Sequence, residues 1–147
     1  MKTLVPMALA LLAGALLPFQ AGINAQLRGH LGAPMSAALV SFVVGTLALL
    51  TVVLVSRTPW PANTSDVPWW QWLSGGLLGA SYLILSIVLT PILGVALTFG
   101  LIVAGQLTMS LALDQVGAFG LVQHGLNGWR ALGALLIVAG VVLIRKF

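Results

Sequence analysis

Four stretches of about 20 residues with almost no charged side chain recur along this chain, and a fifth is slightly shorter. A hydrocarbon core about 30 Å thick needs about 20 apolar residues in a helix, so each stretch is long enough to cross a bilayer. Periodicity and composition place the spans at Leu4 to Leu27, Ala33 to Ser56, Trp70 to Thr90, Gly94 to Leu113 and Trp129 to Ile144. Charged residues make up 5% of the chain, against about a quarter in a soluble domain, which leaves too few to solvate a globular surface. The expected fold is an all-α integral membrane protein, one transmembrane domain over residues 1–147 with five helices.

The connections agree with that reading. RTPWPANTSDVPWW, between the second and third spans, holds three prolines, the clearest polar cluster and Asp66, and belongs in water or headgroups. PILG, between the third and fourth, has room only for an antiparallel turn. The strictly apolar part of the fifth span, Ala131 to Ile144, covers about 21 Å, so Arg130 and Arg145 are expected to reach opposite interfaces with their long side chains. The first run follows Lys2 and carries small residues near its end, as a signal peptide does. Its length and poor cleavage sites favour a retained span.

Several chemistries are excluded by what is missing. Six Lys and Arg against two acids give a net charge of +4, but only Arg145 and Lys146 are adjacent, so no basic stripe can follow a nucleic acid. There is no cysteine, and His30 and His124 lie far apart, so neither a metal nor a redox cofactor is expected. Without paired carboxylates, a Ser, His and Asp arrangement or a phosphate-cradling loop, an enzyme is not expected either.

Charge placement bears on orientation. Lys2, Arg57 and Arg130 lie on the N-terminal side of the membrane, and Arg28, Arg145 and Lys146 on the other. Lys and Arg near span ends set topology, so a balance of three against three predicts insertion both ways and an antiparallel homodimer of ten helices. The alternative is accidental balance in a chain with few charges, with one residue still deciding. All five tryptophans, Trp60, Trp69, Trp70, Trp72 and Trp129, lie on the N-terminal side, and an inverted partner would supply the missing aromatic belt.

The segment GGLLGASYLILSIVLTPILGVALTFGLIVAGQL, followed by a polar turn and WRALGALLIVAGVVLI, resembles the repeat of the drug/metabolite transporter superfamily. LLPFQAGINAQLRGHLGAPMSAALVSFVVGT is similar to its small five-helix YdcZ-like branch. The resemblance covers nearly the whole chain. It implies a multi-pass protein of the bacterial inner membrane, whose relatives occur as dual-topology chains, as pairs of inverted paralogues or as fused ten-helix proteins. The related small multidrug resistance proteins bind protons or cationic drugs with a glutamate in the first helix. This chain offers only Gln20 and Asn24 there, so that mechanism does not carry over.

Those two amides share a helix face, whereas Gln26 points elsewhere and, with Arg28, marks the helix exit. Pro18 removes the bond to the Gly14 carbonyl and, with Gly22, predicts a loosened, kinked helix. Gln20 and Asn24 therefore either line a cavity or join helices. Gln106, Ser110 and Asp114 form a polar stripe on the fourth span, with Gln106 near the bilayer centre, where it needs a partner. Asp114 is a candidate coupling acid or a solvated acid at the helix end. Tyr82, Ser86 and Thr90 form a stripe on the third span, in which Tyr82 is the site candidate and the other two suit packing. Small residues at Ala37, Ser41, Gly45, Gly75, Gly79, Gly133 and Gly140 are read as helix contacts, with the fifth helix in the dimer interface. The expected function is a secondary transporter or facilitator, opening alternately around Gln20, Asn24, Tyr82, Gln106 and Ser110. Its expected partners are lipid, a second inverted copy or paralogue, and a polar, neutral or weakly charged small molecule. A narrow channel and a non-transporting subunit of a membrane complex are the alternatives.

Overall fold

The computed structural model describes residues 3–147. Five long helices follow in order: α1 (Leu4–Leu31), α2 (Pro34–Val55), α3 (Trp69–Leu93), α4 (Val95–Val116) and α5 (Gly128–Lys146), with a short 3-10 turn at Ala118–Gly120 before α5. All five are long and apolar enough to cross a membrane, as expected.

The ends differ from the sequence reading where breakers act later than hydropathy does. Polarity sets in at Arg28, yet nothing there stops a helix, and α1 continues to Leu31, where the Gly32 N–H bonds the Arg28 carbonyl. Pro34 opens α2 at its first turn, where a missing N–H is harmless. The span expected to end at Thr90 runs on through Pro91 to Leu93, so the turn expected over PILG shrinks to Gly94. That residue, at φ 81 and ψ 157, lies in a region open essentially to glycine alone. Likewise α1 is unbroken through Pro18.

The chain divides into two compact units, one holding α1 to α3 up to Ile92, the other running from Leu93 through α4 and α5. In the first, Ala37, Ala38, Leu83 and Ile87 form a buried cluster with Leu27 and Ile84 packed against it, joining all three helices. In the second, α4 and α5 meet at Gly100, where an added Cβ would stand 3.1 Å from Val141 Cγ2. Of the residues assigned to helix contacts, Ala37 is fully buried and Gly79 faces Phe42. Gly45, Gly75, Gly133 and Gly140 have open space where a side chain would go, so they make no tight contact within the chain.

Little of the apolar surface is covered. Seven hydrophobic side chains are buried among the described residues, and long rows of Leu, Val and Ile on every helix stay exposed. In water such a surface would aggregate; in a bilayer it faces lipid or a partner. The five tryptophans are all exposed, as suits side chains at the membrane interface.

Candidate functional site

The polar face of α1 is longer than its two amides. Gln20, Asn24 and Arg28 follow at four-residue intervals, each about 6 Å further along the axis, and form one row. Asn24 is 2% exposed, and its Oδ1 accepts a 2.5 Å hydrogen bond from Ser41 Oγ of α2. Its Nδ2 is buried and has no acceptor. Bonds of this kind between membrane helices contribute about 0.6–2 kcal/mol, so the Ser41 contact helps hold α1 to α2 while half of the amide stays unpaired.

Two clefts open around this pair. One, of about 480 Å³, is lined by Gln20, Asn24 and Ser41 together with Leu16, Leu17, Phe19 and Ile23. The other, of about 330 Å³, lies between Gln20, Ser41, Gly45 and Thr46, with Phe42, Leu49 and Leu83 as apolar walls. Gly45 therefore faces open space beside the amides, which corrects its assignment to helix contact, whereas Ser41 both joins α2 to α1 and lines the clefts.

Arg28 does not simply mark an exit. It is half-buried, and its Nη1 donates to the Ile87 carbonyl of α3 at 3.4 Å. That carbonyl is free because Pro91, four residues on, has no N–H to give it. The proline-broken ladder of α3 and the cation of α1 thus satisfy each other, as the lipid environment demands of freed backbone groups.

The other candidates divide between the two units. Tyr82 lines neither cleft, and its hydroxyl is buried without a partner. Ser86 is buried and donates to the Leu83 carbonyl of its own helix, and Thr90 Oγ1 is buried and unpaired. Gln106 and Ser110 belong to the second unit and are exposed on α4.

Asp114 is 31% exposed but not free. Its Oδ2 pairs with Arg130 Nη2 of α5, so Arg130 turns to the protein rather than only to the interface. The returning segment is tied down around this pair: Arg130 Nη1 donates to the His124 carbonyl at 2.7 Å, and the His124 N–H bonds the Asp114 carbonyl at 2.9 Å. Gln115 adds its Oε1 to the Leu126 N–H, and Gln123 Nε2 donates to the Gln115 carbonyl. Gly117, at φ 60, ends α4, and a Cβ there would press to 3.3 Å of the Leu121 carbonyl. A cleft of about 520 Å³ lies over the ion pair, lined by His124 and Asn127 among others. Asn127 Oδ1 accepts from the Arg130 N–H at 2.9 Å and caps α5. Asn127→Ala is expected to lower stability by about 1 kcal/mol, and Asn127→Ser by much less, in detergent unfolding titrations. Equal losses would show that the cap is not what matters. No three metal-ligating side chains come together among the described residues.

Sequence reasoning missed Ser41 and Arg28. The signal for Arg28 was its place four residues beyond Asn24; Ser41 gave none beyond its polarity. A family described as "Putative inner membrane exporter, YdcZ" matches residues 5–143. No curated protein and no solved structure matches the chain. Five apolar helices and a match over nearly the full length agree, and the chain belongs to the YdcZ family of multi-pass inner-membrane proteins.

Proposed function

We propose that this chain is a secondary carrier that exports a small molecule by alternating access, as an antiparallel homodimer, with the clefts around Gln20, Asn24 and Ser41 as the substrate site. The observation that carries this is Asn24, a buried amide in a membrane helix that spends one half on Ser41 and leaves the other unpaired beside a cleft. An amide serving only to join helices would be expected to pair both halves, because lipid offers no partner. The family's description as an exporter supports the same reading.

The dimer reading rests on the charge balance, the one-sided tryptophans and the exposed polar groups on membrane helices. Gln20, Gln106 and Ser110 are open in the single chain, and a second copy or a substrate would satisfy them. Tyr82, with its unpaired hydroxyl, is a further candidate for substrate contact once the helices rearrange. By the helical rise, Ser41 stands about 10 Å from the start of α2, whose midpoint is about 16 Å from that start, so the clefts lie closer to the bilayer midplane than to the α1–α2 connection. Inversion would place two such sites at mirrored depths, which suits a carrier that opens alternately to either side.

The test is transport of a ligand first found by thermal stabilisation across a metabolite and drug panel. In proteoliposomes, saturable uptake with counterflow is expected, reduced about tenfold or more in Asn24→Ala and Gln20→Ala. Flux rising without saturation would identify a pore instead, and no effect of either substitution would remove these clefts from the path. Asp114, held by Arg130, is expected to serve the loop rather than proton coupling, so Asp114→Asn should leave the pH dependence of transport unchanged.

A further inference from the structure

The chain has two acids. Asp114 is paired with Arg130, and Asp66 lies in the second loop beside Ser65. Arg28 is therefore a half-buried cation with no carboxylate partner among the described residues, and of its five N–H donors one is engaged, by the Ile87 carbonyl. Among the described residues the other Lys and Arg side chains differ: Arg57, Arg145 and Lys146 are exposed, and Arg130 is paired. A guanidinium held in part out of water, with one donor engaged, and the unpaired Asn24 Nδ2 one helical turn away make a set of donors most of which lack an acceptor.

The clefts beside this row supply the complementary half. Leu16, Phe19 and Ile23 wall the larger one, and Phe42 and Leu83 the smaller. Polar groups gather at Gln20, Asn24 and Ser41; Arg28 lines neither cleft and follows one helical turn beyond Asn24, toward the membrane surface. An occupant that fits has an apolar body and a compact group that accepts hydrogen bonds and carries negative charge.

We infer that the substrate is an amphipathic oxyanion, a small aromatic or branched aliphatic molecule bearing a carboxylate, with Arg28 and Asn24 Nδ2 donating to that group once the helices rearrange to admit it. This rests on the clefts being the substrate site, and it replaces the neutral or weakly charged substrate expected from the amides alone. The Ile87 carbonyl, freed by Pro91, holds the guanidinium at the end of the row, which makes Pro91 a positioning residue for Arg28.

The same donors could hold a lipid phosphate, so the experiment separates the two sources. The full chain in maltoside detergent, free of phosphate, is titrated with benzoate and isovalerate, each against its primary amide, and separately with phosphatidylglycerol, with melting temperature as the readout. The carboxylates are expected to stabilise the protein and the matched amides to do so at least about tenfold more weakly. Arg28→Gln should abolish the difference, Arg28→Lys should keep part of it, and Asn24→Ala should weaken carboxylate binding. A melting curve of the unliganded variants confirms that they fold. Equal stabilisation by acids and amides, lost in Asn24→Ala but not in Arg28→Gln, would overturn the oxyanion assignment while leaving the site standing. Stabilisation by phosphatidylglycerol alone, dependent on Arg28 and not on Asn24, would overturn it in favour of a headgroup contact. Stabilisation by neither acid would overturn it as well, and the transport assay of Asn24→Ala and Gln20→Ala would then judge the clefts separately.

Discussion

Arg28→Leu is expected to destabilise the protein by about 1–3 kcal/mol, and the same substitution in a Pro91→Ala background by much less. In the native chain the Ile87 carbonyl has lost its intrahelical donor to Pro91 and is served by Arg28 across the α1–α3 contact. Removing Arg28 strands the carbonyl of Ile87, a residue that is fully buried. Alanine at 91 restores an N–H four residues on, so the carbonyl is satisfied within α3 and the guanidinium has less to do. The coupling between the two substitutions, measured by unfolding in mixed micelles, is therefore the quantity of interest. Equal losses in both backgrounds would mean that the 3.4 Å contact contributes nothing and that α3 tolerates Pro91 by another route.

The second large effect concerns topology. With three cations on each side, one more should tip the balance. Ala62 is exposed in the loop between α2 and α3, so Ala62→Lys adds a charge there without disturbing packing. The expected result is a population strongly biased toward that loop in the cytoplasm, with transport lost because antiparallel pairs no longer form. Phe147→Lys, at the exposed C-terminus, adds a charge to the opposite side, and its bias should be the reverse. Coexpression of the two biased copies should restore transport, each supplying the orientation the other lacks. Recovery by neither copy with the other, or full activity of Ala62→Lys alone, would argue for a carrier that works in one orientation.

The helices were readable because lipid leaves one solution for a run of apolar residues, and length follows from bilayer thickness. Their ends were less so. Hydropathy marks where water begins, whereas a helix stops where its hydrogen-bond ladder stops, which is why α1 overruns Arg28 and α3 overruns Pro91. The pairing of Gln20 with Asn24 was visible as a four-residue spacing, and the same spacing extended to Arg28. Its charge suggested an exit to water. What turned it inward was a carbonyl on another helix, freed by a proline 63 positions away, and no local pattern records that. Ser41 was hidden for a related reason, because a small residue on a membrane helix suits close packing and cleft lining equally well. Asp114 and Arg130 are 16 residues apart, across a returning segment whose path depends on Gly117 and on backbone bonds that side-chain chemistry does not announce.

The proposed antiparallel dimer can be tested directly with charge left untouched, because the sequence holds no cysteine. Ala62→Cys, the only thiol in the chain, is treated with a membrane-impermeant maleimide in spheroplasts that produce this protein without a paralogue. If the chain inserts both ways, about half of the thiols are labelled before permeabilisation and all of them afterwards. Labelling of all the protein, or of none, in intact spheroplasts would contradict the inverted homodimer.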